Sequence, residues 1–341
     1  MSIVQVEQLA SASIIEMVRS EGGDIHPIAD LSGRIPVEAV RIADVLYVPS
    51  ANNPGQGLQV ARGRYLPIEA LSYDYTSQFI RGRLLDKGIT QFDGFIDSDY
   101  PGDVCILGNV FSRNFTHWHE ELMKLVALEH AGMKCAYVIS ALPAFARTLL
   151  ELIGIPDARI LEINQPTRFR NALYTTPISY LNVADFPGVL HMLRGMLLGA
   201  ADPSKLGERL WLDRGQQTRL GRKLVNEEEV ARLLEKHGLQ RVDMGALSVR
   251  EQISAAAGMR VMAGLHGSQF VHSQLMAPKS RVIECFSPLY LNPTYSEIYR
   301  VLHHRYSQVT STNTPVFPYP HGGDVRVDCQ QLDLALQTCD D

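Results

Sequence analysis

From about residue 100 the sequence alternates short apolar runs with longer amphipathic ones, and that alternation constrains the fold more than any other feature. Val104-Cys-Ile-Leu107, Cys135-Ala-Tyr-Val-Ile139 and Arg159-Ile-Leu-Glu-Ile163 read as buried strands, and residues 115–131 and 143–153 between them carry helical spacing. A second series starts near residue 209. It runs strand Leu210-Trp-Leu212, helix 227–237, strand Val242-Asp243, helix 249–257, strand Val261-Met-Ala263, a helix from about 268, and strand Val282-Ile-Glu-Cys-Phe286. Strand and helix in alternation build parallel sheets with helices on both faces. The predicted class is α/β, with two facing Rossmann-like domains and a cleft between them to hold a ligand.

Length agrees: 341 residues exceed the roughly 250–300 at which one hydrophobic core stops growing. The predicted division follows Leu198-Gly-Ala-Ala-Asp-Pro203, giving one domain over residues 1–200 and a second over 201–308. The tail 309–341, rich in Pro, Thr and Asn, is expected to run back over the first domain. Within the first hundred residues, strands are expected at Val45-Leu-Tyr-Val48 and near Phe92–Ile96, and turns at Ala51-Asn-Asn-Pro-Gly55.

A net charge of −5 without long like-charge runs gives no reason to expect nucleic acid or an anionic membrane as partner. The N-terminus lacks a signal-peptide pattern, and no window has the roughly 18 apolar residues of a membrane span. Cys105, Cys135, Cys285, Cys329 and Cys339 are odd in number and widely spaced, which disfavours a disulfide framework and a metal site. A reducing cytoplasm is the expected setting. No Gly-x-Ser-x-Gly, P-loop or Gly-x-Gly-x-x-Gly pattern occurs, so serine hydrolases, P-loop ATPases and dinucleotide enzymes lose support.

Three stretches carry chemistry. Gly264-Leu-His266-Gly267-Ser268 is a glycine-flanked turn between a strand's carboxyl end and a helix's amino end, where unpaired N–H groups suit phosphate; the alternative is a plain turn with a surface histidine. Arg214 follows strand 210–213 and shares a basic loop with Arg219, Arg222 and Lys223, a phosphate-recognition pattern or a solvated loop. Asn226/Glu229 and Ser248/Glu251 beyond it read as capping boxes. Finally, Asn114-Phe-Thr-His-Trp-His-Glu-Glu-Leu122 opens a helix on which His117 and Glu121, four apart, share a face. A carboxylate there can fix an imidazole's tautomer and make it a general base; the alternative is a polar helix start.

Together these stretches resemble glycosyltransferase family 61, a group of inverting transferases of the GT-B type. The first block of that resemblance is Asn114, His117, Trp118 and Glu121. The second is Arg214, Arg222, Asn226 and Glu227, with Asp213 where the family shows Ser. The third is His266, Gly267 and Glu284, with Ser268 replacing Ala and His272 replacing Asn. The resemblance implies a sugar moved from a nucleoside-diphosphate sugar to a glycan, polysaccharide or lipid-linked acceptor, without metal or other cofactor, in the cytoplasm or at a membrane's inner face. It implies that Arg214, Arg222, Asn226, His266, Gly267, Ser268 and Glu284 hold the donor; by analogy with the acidic residue of dinucleotide folds, Glu284 is expected to hold ribose hydroxyls. His117, oriented by Glu121, is the implied base, with Glu121 itself as runner-up. A non-catalytic nucleotide- or carbohydrate-binding protein and a sugar-nucleotide epimerase are the competing readings. Asp97-Ser-Asp99 resembles the metal motif of single-domain transferases but reads more readily as a turn between two strands.

Overall fold

The computed structural model describes residues 18–19, 23–31, 33–49, 57–61, 94–107, 115–202, 204–214, 223–288, 290–311 and 324–338. The chain forms two compact units, Met1–Leu193 and Arg194–Asp341.

The first unit contains β1 (Asp24–Pro27), β2 (Glu38–Pro49), β3 (Gly57–Ala61), β4 (Ile96–Asp97), β5 (Val104–Ile106), α1 (Phe115–His130), β6 (Ala136–Ile139), α2 (Ala144–Leu152), β7 (Ile160–Glu162) and β8 (Thr167–Thr175); α3 (Pro187–Gly199) carries the boundary. Its sheet has the order β1-β2-β8-β5-β6-β7, with β3 beside β2 and β4 beside β8. β5, β6 and β7 are parallel as the alternation predicts, but β2 pairs antiparallel with β1, β3 and β8. The expectation of a wholly parallel sheet is therefore corrected here. In β2, Ile42, Val45 and Tyr47 are buried while Asp44 is exposed, a partly alternating pattern that suits antiparallel partners. These side chains pack with Val104, Ile106, Val138, Phe169 and Tyr174. The strand expected near Phe92–Ile96 is the short Ile96–Asp97.

The second unit is the simpler. It contains β9 (Arg209–Asp213), α4 (Glu227–Lys236), β10 (Gln240–Asp243), α5 (Val249–Gly258), β11 (Val261–Leu265), β12 (Arg281–Phe286), α6 (Ser296–Val301), β13 (Arg305–Thr310) and α7 (Cys329–Gln337). Its five strands are all parallel in the order β10-β9-β11-β12-β13. The order reverses between β9 and β11. In open α/β sheets such a reversal opens a crevice beyond the carboxyl ends of the two strands, where ligands bind.

One further expectation changes. The segment after His266 is a 3-10 helix, Ser268–Leu275, whose first turn closes with Phe270 N–H donating to the Gly267 carbonyl. At residues 324–338 the tail packs within the second unit: Val325, Val327, Leu332 and Leu336 are buried against Trp211, Val230 and Leu234. An apolar stripe on α7 finds its partner on α4, so the tail completes the second core. Among the described residues, no helix is long and apolar enough to cross a membrane.

Candidate functional site

Gly264 of β11 lies in register with Leu212 of β9 where the strand order reverses, in a backbone conformation with φ +159°. A Cβ there would lie 2.8 Å from the Leu212 carbonyl oxygen, so only glycine fits. The chain leaves β9 through Asp213, which receives Arg241 through both oxygens at 2.9 and 3.0 Å and the Trp211 indole N–H at 3.1 Å. Thus anchored, the strand delivers Arg214, whose Nη1 donates to the His266 carbonyl at 2.6 Å. A Cβ on Gly267 would stand 2.6 Å from that same Nη1. Arg214 is thus brought from a distant part of the chain against His266 and Gly267, beyond the carboxyl ends of β9 and β11.

The His266 side chain is buried, as is Glu284 on the neighbouring strand β12. Nδ1 of His266 lies 2.6 Å from Glu284 Oε1, and the Tyr299 hydroxyl of α6 donates to Glu284 Oε2 at 3.0 Å. Burial pushes the Tyr299 phenol far up, so it stays a donor. Phe286 stacks on the imidazole at 4.6 Å between centroids, with Tyr290 at 5.4 Å and Tyr295 at 5.9 Å. Both Glu284 oxygens therefore have partners within the protein. Because the 3-10 helix is short, the positive charge at the crevice comes from side chains more than from a helix dipole.

The capping box expected of Asn226 and Glu229 is corrected. The Asn226 side chain makes no helix-cap bond. Nδ2 donates to the Val327 carbonyl at 2.9 Å and to Glu229 at 3.1 Å, while Oδ1 accepts from Val327 N–H at 3.0 Å. Asn226 clamps the tail and does not form the expected capping box. Ser248 and Glu251 do form the capping box expected of them. His272 is buried at the 3-10 helix, with Nε2 3.1 Å from Gln252 Oε1, and burial pushes it down to about 4. A neutral imidazole there fills the core. Ser268 opens the 3-10 helix directly after Gly267.

In the first unit His117 sits on the opening turn of α1, ahead of the buried Trp118, which packs edge-on to Phe145. The expected His117–Glu121 pair is replaced by another. His117 Nδ1 lies 2.7 Å from Glu120 Oε2, and Glu120 Oε1 accepts from Tyr180 N–H at 2.9 Å. Glu121 pairs with Lys124 at 2.6 Å. Residues three apart also face one another on a helix, and burial of the Lys124 ammonium claims Glu121. A carboxylate on Nδ1 makes Nε2 the basic nitrogen of His117.

Asp97 of the Asp-Ser-Asp stretch pairs with Arg168 at 2.6 Å, and the Arg168 guanidinium holds its carboxyl below the usual range. Asn114, Arg219, Arg222, Cys339 and the Ala51–Gly55 turn lie outside the described residues. Sequence reasoning missed Glu120, Tyr180 and Tyr299. The i,i+3 spacing could have pointed to Glu120, whereas Tyr180 and Tyr299 come from distant elements with no local signal.

No curated protein matches the chain. Among solved structures, a mutant of a flavo di-iron protein from Thermotoga maritima aligns over 93% of this chain and 98% of its own, at 8% identity and a TM-score of 0.27, too low to bear on the fold. The family model described as Glycosyltransferase 61 matches residues 115–283, a span that holds both the His117–Glu120 pair and the Arg214–His266 crevice. The chain belongs to glycosyltransferase family 61.

Proposed function

We propose that this protein transfers a hexosyl or pentosyl group, with inversion, from a nucleoside-diphosphate sugar to a hydroxyl of a glycan, polysaccharide or lipid-linked acceptor, and needs no divalent metal. The observation that carries this reading is Arg214 seated on the His266 carbonyl at the strand-order reversal of a fully parallel sheet. Departure of a nucleoside diphosphate leaves negative charge on the phosphates, and a fixed cation in a partly dry crevice stabilises that charge as it develops. Gly267 leaves room for the Arg214 guanidinium, Ser268 offers a hydroxyl to the phosphates, and Arg222 adds a second cation.

Inversion needs a base that takes the acceptor hydroxyl's proton as the new bond forms at the anomeric carbon. His117 fills that role in the first unit, with Glu120 rather than Glu121 holding its Nδ1–H. Glu121, engaged by Lys124, maintains the helix instead. This division makes the second unit the donor side and the first the acceptor side.

The test is calorimetry against a panel of nucleoside diphosphates, followed by donor-hydrolysis and transfer assays. Binding together with turnover is expected. Binding without turnover would favour a non-catalytic nucleotide-binding module, and turnover of the donor into an epimer would favour the epimerase.

A further inference from the structure

Resting on the donor-site reading above, a second property follows from the tautomer of His266. Its Nδ1 lies 2.6 Å from Glu284 Oε1, and a carboxylate only accepts, so Nδ1 carries the proton of the neutral ring. Nε2 is then a bare lone pair. A phosphate oxygen is also only an acceptor, so the neutral ring cannot hydrogen-bond the diphosphate.

We propose that donor binding is proton-linked through the His266–Glu284 pair: the imidazole takes up one proton from solvent at Nε2 as the diphosphate enters, and the resulting imidazolium donates to a phosphate oxygen. Glu284 acts as the positioning residue. It fixes the ring by Nδ1 and offsets the added charge, and it is itself held by the Tyr299 hydroxyl at 3.0 Å. The proton stays on the ring while charge builds on the leaving diphosphate and returns to solvent when the product departs.

The surroundings favour coupling to an anion. From β12, Glu284 faces the ring; from α6 and the loop before it come Tyr299, Tyr295 and Tyr290; from β13, Tyr306 reaches Glu284. The chain after β9 brings Arg214 onto the His266 carbonyl, and the Cys285 thiol of β12 is pushed up by burial and stays neutral. Arg214 and Glu284 are the charged groups in this set. Arg214 opposes a second cation next to it until an anion lies between them, so proton and diphosphate bind together.

The experiment is calorimetric titration of the whole chain with UDP-glucose and GDP-mannose, whose phosphates do not titrate near neutrality, at about pH 6 to 9 in buffers of different ionisation heat. Uptake approaching one proton toward high pH is expected, with affinity falling by up to about tenfold per pH unit. His266→Gln supplies a neutral donor, and its affinity should be flat with pH. Glu284→Gln should move the fall to lower pH, and Tyr299→Phe, which leaves the ring and carboxylate in place, to higher pH. Affinity independent of pH with no proton uptake, in a protein whose His266→Ala variant binds weakly, overturns the proposal alone. Undiminished binding by His266→Ala overturns the donor-site reading and this proposal with it.

Discussion

Gly267 and Arg214 fit together because residue 267 has no Cβ: a methyl there would lie 2.6 Å from Nη1, the atom that donates to the His266 carbonyl. The backbone at 267 is extended, so alanine is accepted by the main chain and the guanidinium must swing away. Gly267→Ala is therefore expected to weaken nucleotide-sugar binding by about 1–3 kcal/mol, as Arg214→Ala and His266→Ala do, since charge-assisted hydrogen bonds have that size. The unfolding midpoint should hardly move. Wild-type affinity in all three variants would remove the donor from this crevice.

Glu120 and Glu121 are neighbours with separable roles. His117→Ala should lower turnover by about 10²–10⁴ with donor affinity nearly unchanged. Glu120→Gln should lower kcat and alter its pH profile, with partial rescue by Glu120→Asp. Glu121→Gln instead leaves the buried Lys124 without its carboxylate, and about 3–5 kcal/mol of stability should go with it. If Glu121→Gln abolishes turnover in a protein that unfolds normally, Glu121 is the base.

Asn226 ties the tail to the second unit through both the N–H and the carbonyl of Val327. Asn226→Ala leaves two main-chain groups without these partners and should cost about 1–3 kcal/mol in denaturant unfolding. Nucleotide-sugar affinity should persist under conditions where the protein remains folded. A loss of affinity without a loss of stability would place Asn226 in the donor site.

His272 gives stability a pH dependence. Burial places the folded imidazole at about 4, below the roughly 6.5 of an unfolded histidine. Between those values the unfolded chain binds more protons than the folded one. The stabilising contribution is therefore complete above the unfolded value and is lost as pH falls toward the folded one, by at most about 1.4 kcal/mol per pH unit. His304, also lowered by burial, adds in the same direction. His272→Asn should flatten part of this slope in unfolding curves taken at successive pH values; an unchanged slope would assign it to His304 and the carboxylates.

Asp97 is engaged by the Arg168 guanidinium at 2.6 Å, in the unit that does not carry Arg214. Transfer is expected to continue in excess EDTA, with little effect of Asp99→Ala. Activity removed by chelator and restored by Mn²⁺ would favour a metal-dependent mechanism instead.

Much of the fold was legible because strand and helix impose different periods on apolar residues. The Val104, Ala136 and Ile160 strands, and those at Trp211, Val261 and Val282, stand out for that reason. β8 and β13 were not legible: Thr167–Thr175 mixes Arg, Asn and Thr with its apolar residues, and Arg305–Thr310 has a single fully buried position, Val309. The motif residues themselves, His117, Arg214, His266 and Glu284, could all be named from order and composition.

The sequence by itself determined which residue types were present and in which elements, because hydrophobic period, turn chemistry and motif order are local properties. Only the tertiary structure decided the partners. Glu120 rather than Glu121 faces His117 because Lys124 and the Tyr180 N–H divide the two carboxylates between them. Glu284 meets His266 because β11 and β12 are parallel neighbours with Gly264 in register with Glu284. The tail belongs to the second unit because α7 buries its apolar stripe on α4. Each of these choices depends on burial, which makes an unpartnered charge or apolar face costly, and burial is a property of the folded chain that no local pattern records.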